Sequence, residues 1–398
     1  MAYKSSASEG ASSRSASRST APSNAVGQVG GRPFFGRVES LRGLGAVMVA
    51  GYHMSGWGAL QGRLLPEQRP WAASAAQNTI GQVELHLFSG HAALMVFFVI
   101  SGFVLRVSLQ YGPQDFAGAA VRFHVARFFR IYPIVIVGVL VAAVTYTSHA
   151  ATHSPPLAAS TLFANLALLS VSLNNTLWAI QLEVVMAPLI VGLYFLERWR
   201  GPRALIVVAA ATTLLAFGNW AIWRPLSEYF FAFAVGMLLP TVGQRWASRL
   251  TRGATRWSLV AAALGLFLPW PLLGFYSKFS AIIEGYAAAA LVTIVAYRMD
   301  VASLVWLDWR PVRLVGLASG SFYVLHMAVL PWIYPLVASL IPSWLDLQLP
   351  ALAGPLAILA TLALYAPVAV LGYYLIEAPG IALGRRASAA RVLAPAAQ

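Results

Sequence analysis

Arg42 and His53 stand 11 residues apart in one apolar run, RGLGAVMVAGYH. At about 100° per residue that spacing is three turns plus roughly 20°, so a helix carries both side chains on one face, about 16 Å apart along its axis. Histidine titrates near neutral pH and suits proton transfer. Arginine stays charged and pairs with anions. Arg127-x-x-Arg130, inside RFFRIYP, shares a helical face by its i, i+3 spacing. Two such guanidiniums suit bidentate pairing with phosphates. Glu183 sits in NNTLWAIQLEVV, where an unpaired carboxylate is expensive, so it pairs with an inward Arg or His or keeps its proton. Tyr323 and His326 follow at i, i+3 in SGSFYVLH, and Glu377 precedes Pro379 by two residues in YYLIEAPG. Each has a plainer alternative. Arg42 can reach to lipid phosphates, His53 can pack the bundle, and Arg127 and Arg130 can mark a cytoplasmic boundary. Glu183, His326 and Glu377 can sit in structural pairs. Ser101-Gly102, in FFVISGFVLR, reads as a close helix crossing.

Other chemistries find little support. His86 and His91 are five apart, not the four that put two metal ligands on one helical face, and no metal is expected there or with Glu84. His149 and His153 read as solvated outer-loop residues. There is no Gly-rich phosphate loop and no GxSxG. Cysteine is absent, which removes thiolate nucleophiles, disulfides and Cys-based metal sites.

The elements that must hold these residues are membrane helices. Of 398 residues, 59% are hydrophobic and 10% charged, against about 25% charged in a soluble domain. Apolar runs near the roughly 20 residues of a span predict an all-α integral membrane protein of about ten transmembrane helices. They cover 38–57, 85–105, 131–148, 177–196, 204–222, 226–242, 258–275, 279–297, 314–336 and 351–376. The net charge of +14 does not point to nucleic acid, because Lys and Arg cluster between alternate runs as the positive-inside rule requires. With both termini in the cytoplasm, only Arg63, Arg69, Arg224 and Lys278 of the 27 Lys and Arg fall outside. A crossing at 161–173 would invert every later loop and destroy that bias, so this short run is expected to be re-entrant or interfacial. Residues 1–35, rich in Ser, Ala and Gly, read as a disordered cytoplasmic tail, 36–380 as one membrane domain, and 381–398 as a second cytoplasmic tail. No internal repeat is visible.

The ordered set resembles the acyltransferase-3 family of membrane O-acyltransferases. It is carried by Arg42-x10-His53, FFVISGF at 97–103, RFFRIYP at 127–133, WAIQLE at 178–183, SFYVLH at 321–326 and IEAP at 376–379. The resemblance covers about 36–380. It departs at Ala179-Ile180, where the family often has Ser-Leu, and at Gly320, where it often has an aromatic. What it implies is transfer of an acyl group, usually acetyl, from cytoplasmic acyl-coenzyme A to a hydroxyl of an extracytoplasmic glycan or glycolipid, in the inner membrane of a bacterium, with no metal. Members modify surface polysaccharide, exopolysaccharide, Nod factors and macrolides. Some carry a fused hydrolase-like domain, and none is expected in these 398 residues.

The expected mechanism starts from the weakness of a hydroxyl as nucleophile, which requires a base. His53 is expected to take the acceptor proton, with a transient acyl-histidine as an open alternative. Arg42 is expected to hold coenzyme A or to stabilise developing negative charge. Arg127 and Arg130 are expected to hold the coenzyme A phosphates, Glu183 to orient a base or an arginine, and Tyr323 and His326 to line the acceptor side. A different class, a transporter or flippase of a lipid-linked sugar or small solute, also tolerates buried Arg, His and Glu, though such folds often show repeats and paired interrupted helices. A scaffold for a glycan-assembly complex would need no polar pair three turns apart on one face.

Overall fold

The computed structural model describes residues 27–29, 32–60, 88–149, 156–218, 223–274, 277–342, 344–345 and 349–393. Most of the expected tail 1–35 lies outside these residues, as do Glu84, His86 and His153. Residues 1–34 and 35–398 form two units. In the first, β1 (Gly27–Val29) and β2 (Arg32–Phe34) pair antiparallel, with Gln28 opposite Pro33. Composition predicted no structure there. The Gly-Gly dipeptide between the strands is a local hairpin signal that composition averages away.

The second unit is helical. Its helices are α1 (Gly36–Leu60), α2 (Gly90–Gln110), α3 (Phe116–His149), α4 (Ala159–Leu166), α5 (Trp178–Arg200), α6 (Pro202–Leu215) and α7 (Arg224–Leu238). They continue with α8 (Gln244–Arg249), α9 (Arg252–Phe267), α10 (Pro269–Leu273), α11 (Lys278–Tyr297) and α12 (Arg310–Leu317). The last are α13 (Ser319–Leu340), α14 (Pro350–Gly372) and α15 (Ala378–Leu393). Local chemistry sets several boundaries. The Ser89 hydroxyl accepts from Ala92 N at 3.2 Å to cap α2, which satisfies an otherwise orphaned donor. Gly201, at φ +78°, ends α5, and Pro202 opens α6, the stop and start that each residue favours.

Among the described residues, seven helices are long and apolar enough to cross a membrane, against the ten runs expected. The expected run 204–222 forms only the 14-residue α6, about 21 Å long and short of the roughly 30 Å hydrocarbon core. The run 258–275 is divided between the 16-residue α9 and the short α10. The run 38–57 lies in the 25-residue α1, whose first two turns carry Arg37, Glu39 and Arg42. The doubtful segment 161–173 holds only the eight-residue α4. The chain then turns through Leu168 at φ +55°, and Asn165 Oδ1 accepts from Leu173 N at 3.1 Å. That hydrogen bond closes the segment on itself.

Two close crossings place the helices that carry the candidate residues. A Cβ on Gly43 of α1 would lie 2.5 Å from the Gly316 backbone nitrogen of α12, and one on Gly316 would lie 2.7 Å from the Glu39 carbonyl oxygen. Gly102 of α2 and Gly236 of α7 are likewise reciprocal: their added Cβ atoms would lie 2.1 Å from the Phe233 oxygen and 2.2 Å from the Val99 oxygen. Small residues allow backbones to touch where apolar burial cannot drive association.

Candidate active site

A cavity of about 90 Å³ lies among α1, α2, α3, α5 and α13, room for several waters at the roughly 10–15 Å³ that one needs. One wall is charged and polar, with Arg42, Arg130, Glu183, Ser319, Tyr323 and Glu377. The other is apolar, with Leu94, Phe97, Phe98, Ile131, Ile134 and Val324 among its members. Arg42 Nε donates to Ser319 Oγ at 2.7 Å. The Ser321 amide and hydroxyl both donate to Glu377 Oε1. Ala179, Ile180 and Gly320, where the chain departs from the family pattern, all line this cavity. At Gly320 the reason is steric: a Cβ would lie 2.6 Å from Glu377 Oε2, so the carboxylate occupies the space a larger side chain would need.

The two arginines of RFFRIYP do different things. Arg127 Nη2 donates to Glu183 Oε2 at 2.8 Å and to the Glu183 carbonyl at 3.3 Å. Ser101 Oγ donates to the other carboxylate oxygen at 2.5 Å. Glu183 is thus paired with an inward Arg, one of the alternatives its position left open. Arg130, one turn on, is exposed and reaches the cavity. It has no ion-pair partner among the described residues. The shared helical face therefore carries one arginine committed to a carboxylate and one open to a ligand.

His53 and His326 meet each other without lining the cavity. His326 is fully buried, and its Nδ1 lies 2.5 Å from the Tyr323 carbonyl. A carbonyl only accepts, so Nδ1 carries the proton and Nε2 holds the lone pair. His53 Nδ1 lies 3.1 Å from that Nε2, which can only accept from it, and the His53 ring also hydrogen-bonds the Val49 backbone. The network assigns the remaining lone pair to His53 Nε2. Tyr323 turns the other way: it lines the cavity, and its hydroxyl donates to the Thr176 carbonyl at 2.8 Å. The i, i+3 pair of α13 is thus divided between cavity and histidine contact. The Phe97 ring approaches Tyr323 with centroids 5.6 Å apart. It also packs over Gly45, between Arg42 and His53 along α1.

Sequence reasoning missed two buried pairs. Arg106 bonds Glu197 through Nε and Nη2 at 3.0 and 3.1 Å, bracing α2 to α5. His91 Nδ1 lies 2.5 Å from Oε2 of Glu284, which is wholly buried. The signal for Glu284 was present, an acid inside the apolar run FSAIIEGYAAAALV, the same pattern that exposed Glu183. Among the described residues, no group of three or more His, Asp or Glu is arranged to hold a metal.

These features define a class, a multi-pass helical membrane protein with a charged internal cavity and a histidine contact on the same helix as a cavity arginine. A family model described as an acyltransferase domain, Acyl_transf_3, matches residues 35–370. The chain belongs to this acyltransferase-3 family and is a membrane acyltransferase. No curated protein and no solved structure matches it.

Proposed function

We propose that the protein transfers an acyl group, acetyl in the simplest case, from cytoplasmic acyl-coenzyme A to a hydroxyl of an extracytoplasmic glycan or glycolipid. The chain would cross a bacterial inner membrane about ten times with both ends in the cytoplasm. One observation carries the reading: Arg42 and Arg130 share a cavity, while His53 stands three turns along the same helix as Arg42 with its Nε2 lone pair free of the His326 contact. Guanidiniums at one end suit the donor's phosphates, and a neutral imidazole at the other suits a general base.

In this mechanism Arg130 and Arg42 hold the phosphates of coenzyme A. Arg127 holds Glu183, which faces the cavity. The pantetheine arm runs along α1 past Phe97, whose ring must turn aside. The acceptor oxygen attacks the thioester carbonyl as its proton passes to His53 Nε2. A C–O bond forms, the C–S bond breaks, and the proton returns to the departing thiolate. His326 keeps the His53 proton on Nδ1 throughout. The transporter reading shares the buried charges but requires no acyl-coenzyme A. Purified protein in nanodiscs should bind acetyl-coenzyme A and move labelled acetyl into an extracytoplasmic glycan fraction. Solute transport without acyl-coenzyme A binding would replace the enzyme reading with the carrier one.

A further inference from the structure

The donor that Arg42 and Arg130 hold is larger than the space they line. The cavity is about 90 Å³, whereas pockets that enclose a whole small ligand are about 300–1,000 Å³. The nucleotide half of coenzyme A therefore lies outside it, at the cytoplasmic mouth. The cavity also has no surplus of positive charge. Arg42, Arg127 and Arg130 are met by Glu183 and Glu377 and, acting on Arg42, by Glu39. With all six ionised, their charges cancel. Coenzyme A brings a diphosphate and a ribose 3′-phosphate, and a phosphate monoester alone carries about −1.5 to −2 charges at neutral pH. Binding it calls for a further cation at the mouth.

The last helix supplies one. In place of the tail expected from residue 381, α15 continues to Leu393, beyond the residues 35–370 that match the family model. It carries Arg385, Arg386 and Arg391 and no acid. Two glycines seat it on α3. A Cβ on Gly380 would lie 2.5 Å from the Phe129 oxygen and 3.0 Å from Pro133, and one on Gly384 would lie 2.8 Å from Phe129 Cβ and 3.5 Å from the Ala126 oxygen. Rising positions on α15 meet falling positions on α3, so the two helices run antiparallel. Arg130 follows the contact residue Phe129 by one position, and Arg385 follows Gly384 by one. In an antiparallel pair of right-handed helices, one step past the contact line, about 100°, turns both side chains to the same flank. On that flank Arg130 and Glu377 line the cavity. Arg385 lies eight residues past Glu377, about 12 Å outward, and roughly one turn from the level of Arg130. Arg386, one step further round, points to the opposite flank. Both are exposed, and neither has an ion-pair partner among the described residues.

We propose that Arg385 is a specificity-determining residue for the donor and binds the ribose 3′-phosphate of coenzyme A, with Arg130 left to the diphosphate. The inference rests on the acyl-coenzyme A reading and names the residue that holds the outer end of that donor. The probes are acetyl-coenzyme A and acetyl-3′-dephospho-coenzyme A, with Kd measured on full-length protein in nanodiscs. The wild type should bind acetyl-coenzyme A about tenfold more tightly, the effect of one charge-assisted bidentate contact. Arg385→Ala should weaken acetyl-coenzyme A binding by about that factor and leave the dephospho donor within twofold, so that the preference disappears. Arg385→Lys should keep part of it, because the charge remains and the planar fork is lost. Arg386→Ala should leave both donors within twofold. Equal binding of the two donors by the wild type would overturn the subsite. So would an equal loss for both donors in Arg385→Ala, an unchanged preference in that variant, or an Arg386→Ala effect as large as that of Arg385→Ala, which would mark a diffuse basic surface. In each of these outcomes the wild type still binds a donor and the acyltransferase reading stands. Failure of the wild type to bind either donor would remove that reading and the subsite with it.

Discussion

A neutral imidazole serves as a base only where its lone pair meets the substrate, so the group behind it matters as much as the ring itself. His326 supplies that group to His53 through the 3.1 Å contact. His53→Gln should lower transfer by about 10²–10⁴ with donor binding intact, measured as turnover of labelled acetyl-coenzyme A. A well-expressed, active His53→Gln protein would end the proposal. His326→Leu should lower kcat without changing donor KM. His326→Gln, whose amide oxygen can accept from His53 Nδ1, should recover part of the rate. A merely packed histidine would give no such recovery. The arginines separate in the same way. Arg130→Ala should raise donor KM about tenfold or more, since a hydrogen bond to a charged group contributes roughly 1.5–3 kcal/mol. Arg127→Ala should mainly lower folded yield, because it strands the Glu183 carboxylate. Arg127→Ala with Glu183→Leu should regain that yield while staying slow. Equal donor-KM effects at both arginines would contradict the division seen in the structure.

At the scale of elements, α2 works as the central post, and its position depends on glycine. Gly102→Ala would drive a Cβ into the Phe233 carbonyl at 2.1 Å, and overpacking of this kind costs roughly 1–3 kcal/mol. The melting temperature of purified protein in detergent should fall, and Gly236→Ala should act similarly. Gly192→Ala meets nothing within 4 Å and should be neutral or mildly stabilising, given the helix propensity of alanine. A stable Gly102→Ala protein would mean that the crossing is looser than described. The Ser-Gly pair in FFVISGF marks one side of this crossing by its small residues alone. Its partner at Gly236 lies 134 positions away and carries no mark in the sequence. Helix lengths were legible only in part. Hydropathy merges α9 and α10 into one run, and backbone turns decide where each helix stops.

For the whole molecule, the asymmetry of Lys and Arg predicts orientation. Reporter fusions at Gly118, Gly253 and Ala390 should read cytoplasmic, and those at Gln61, His153 and Ser343 external. A cytoplasmic reading at His153 would overturn the crossing by α3 and every later assignment.

The membrane class, the helical fold and the family were all legible in the amino-acid sequence. Burial in lipid forces apolar composition and periodic helices, and buried charges such as Arg42, His53 and Glu183 stand out against that background. Spacing within one helix was legible too, because the rise and turn of α1 place Arg42 and His53 on one face whatever surrounds them. Partners between helices were not. The sequence cannot say that Arg127 closes on Glu183 while Arg130 stays open. It does not reveal that His326 backs His53 across 273 positions, or that Glu284 reaches His91. Those pairings depend on which helices cross, at what angle and how closely. Side-chain packing and the glycines that let backbones touch set these features, and they exist only once the bundle has formed.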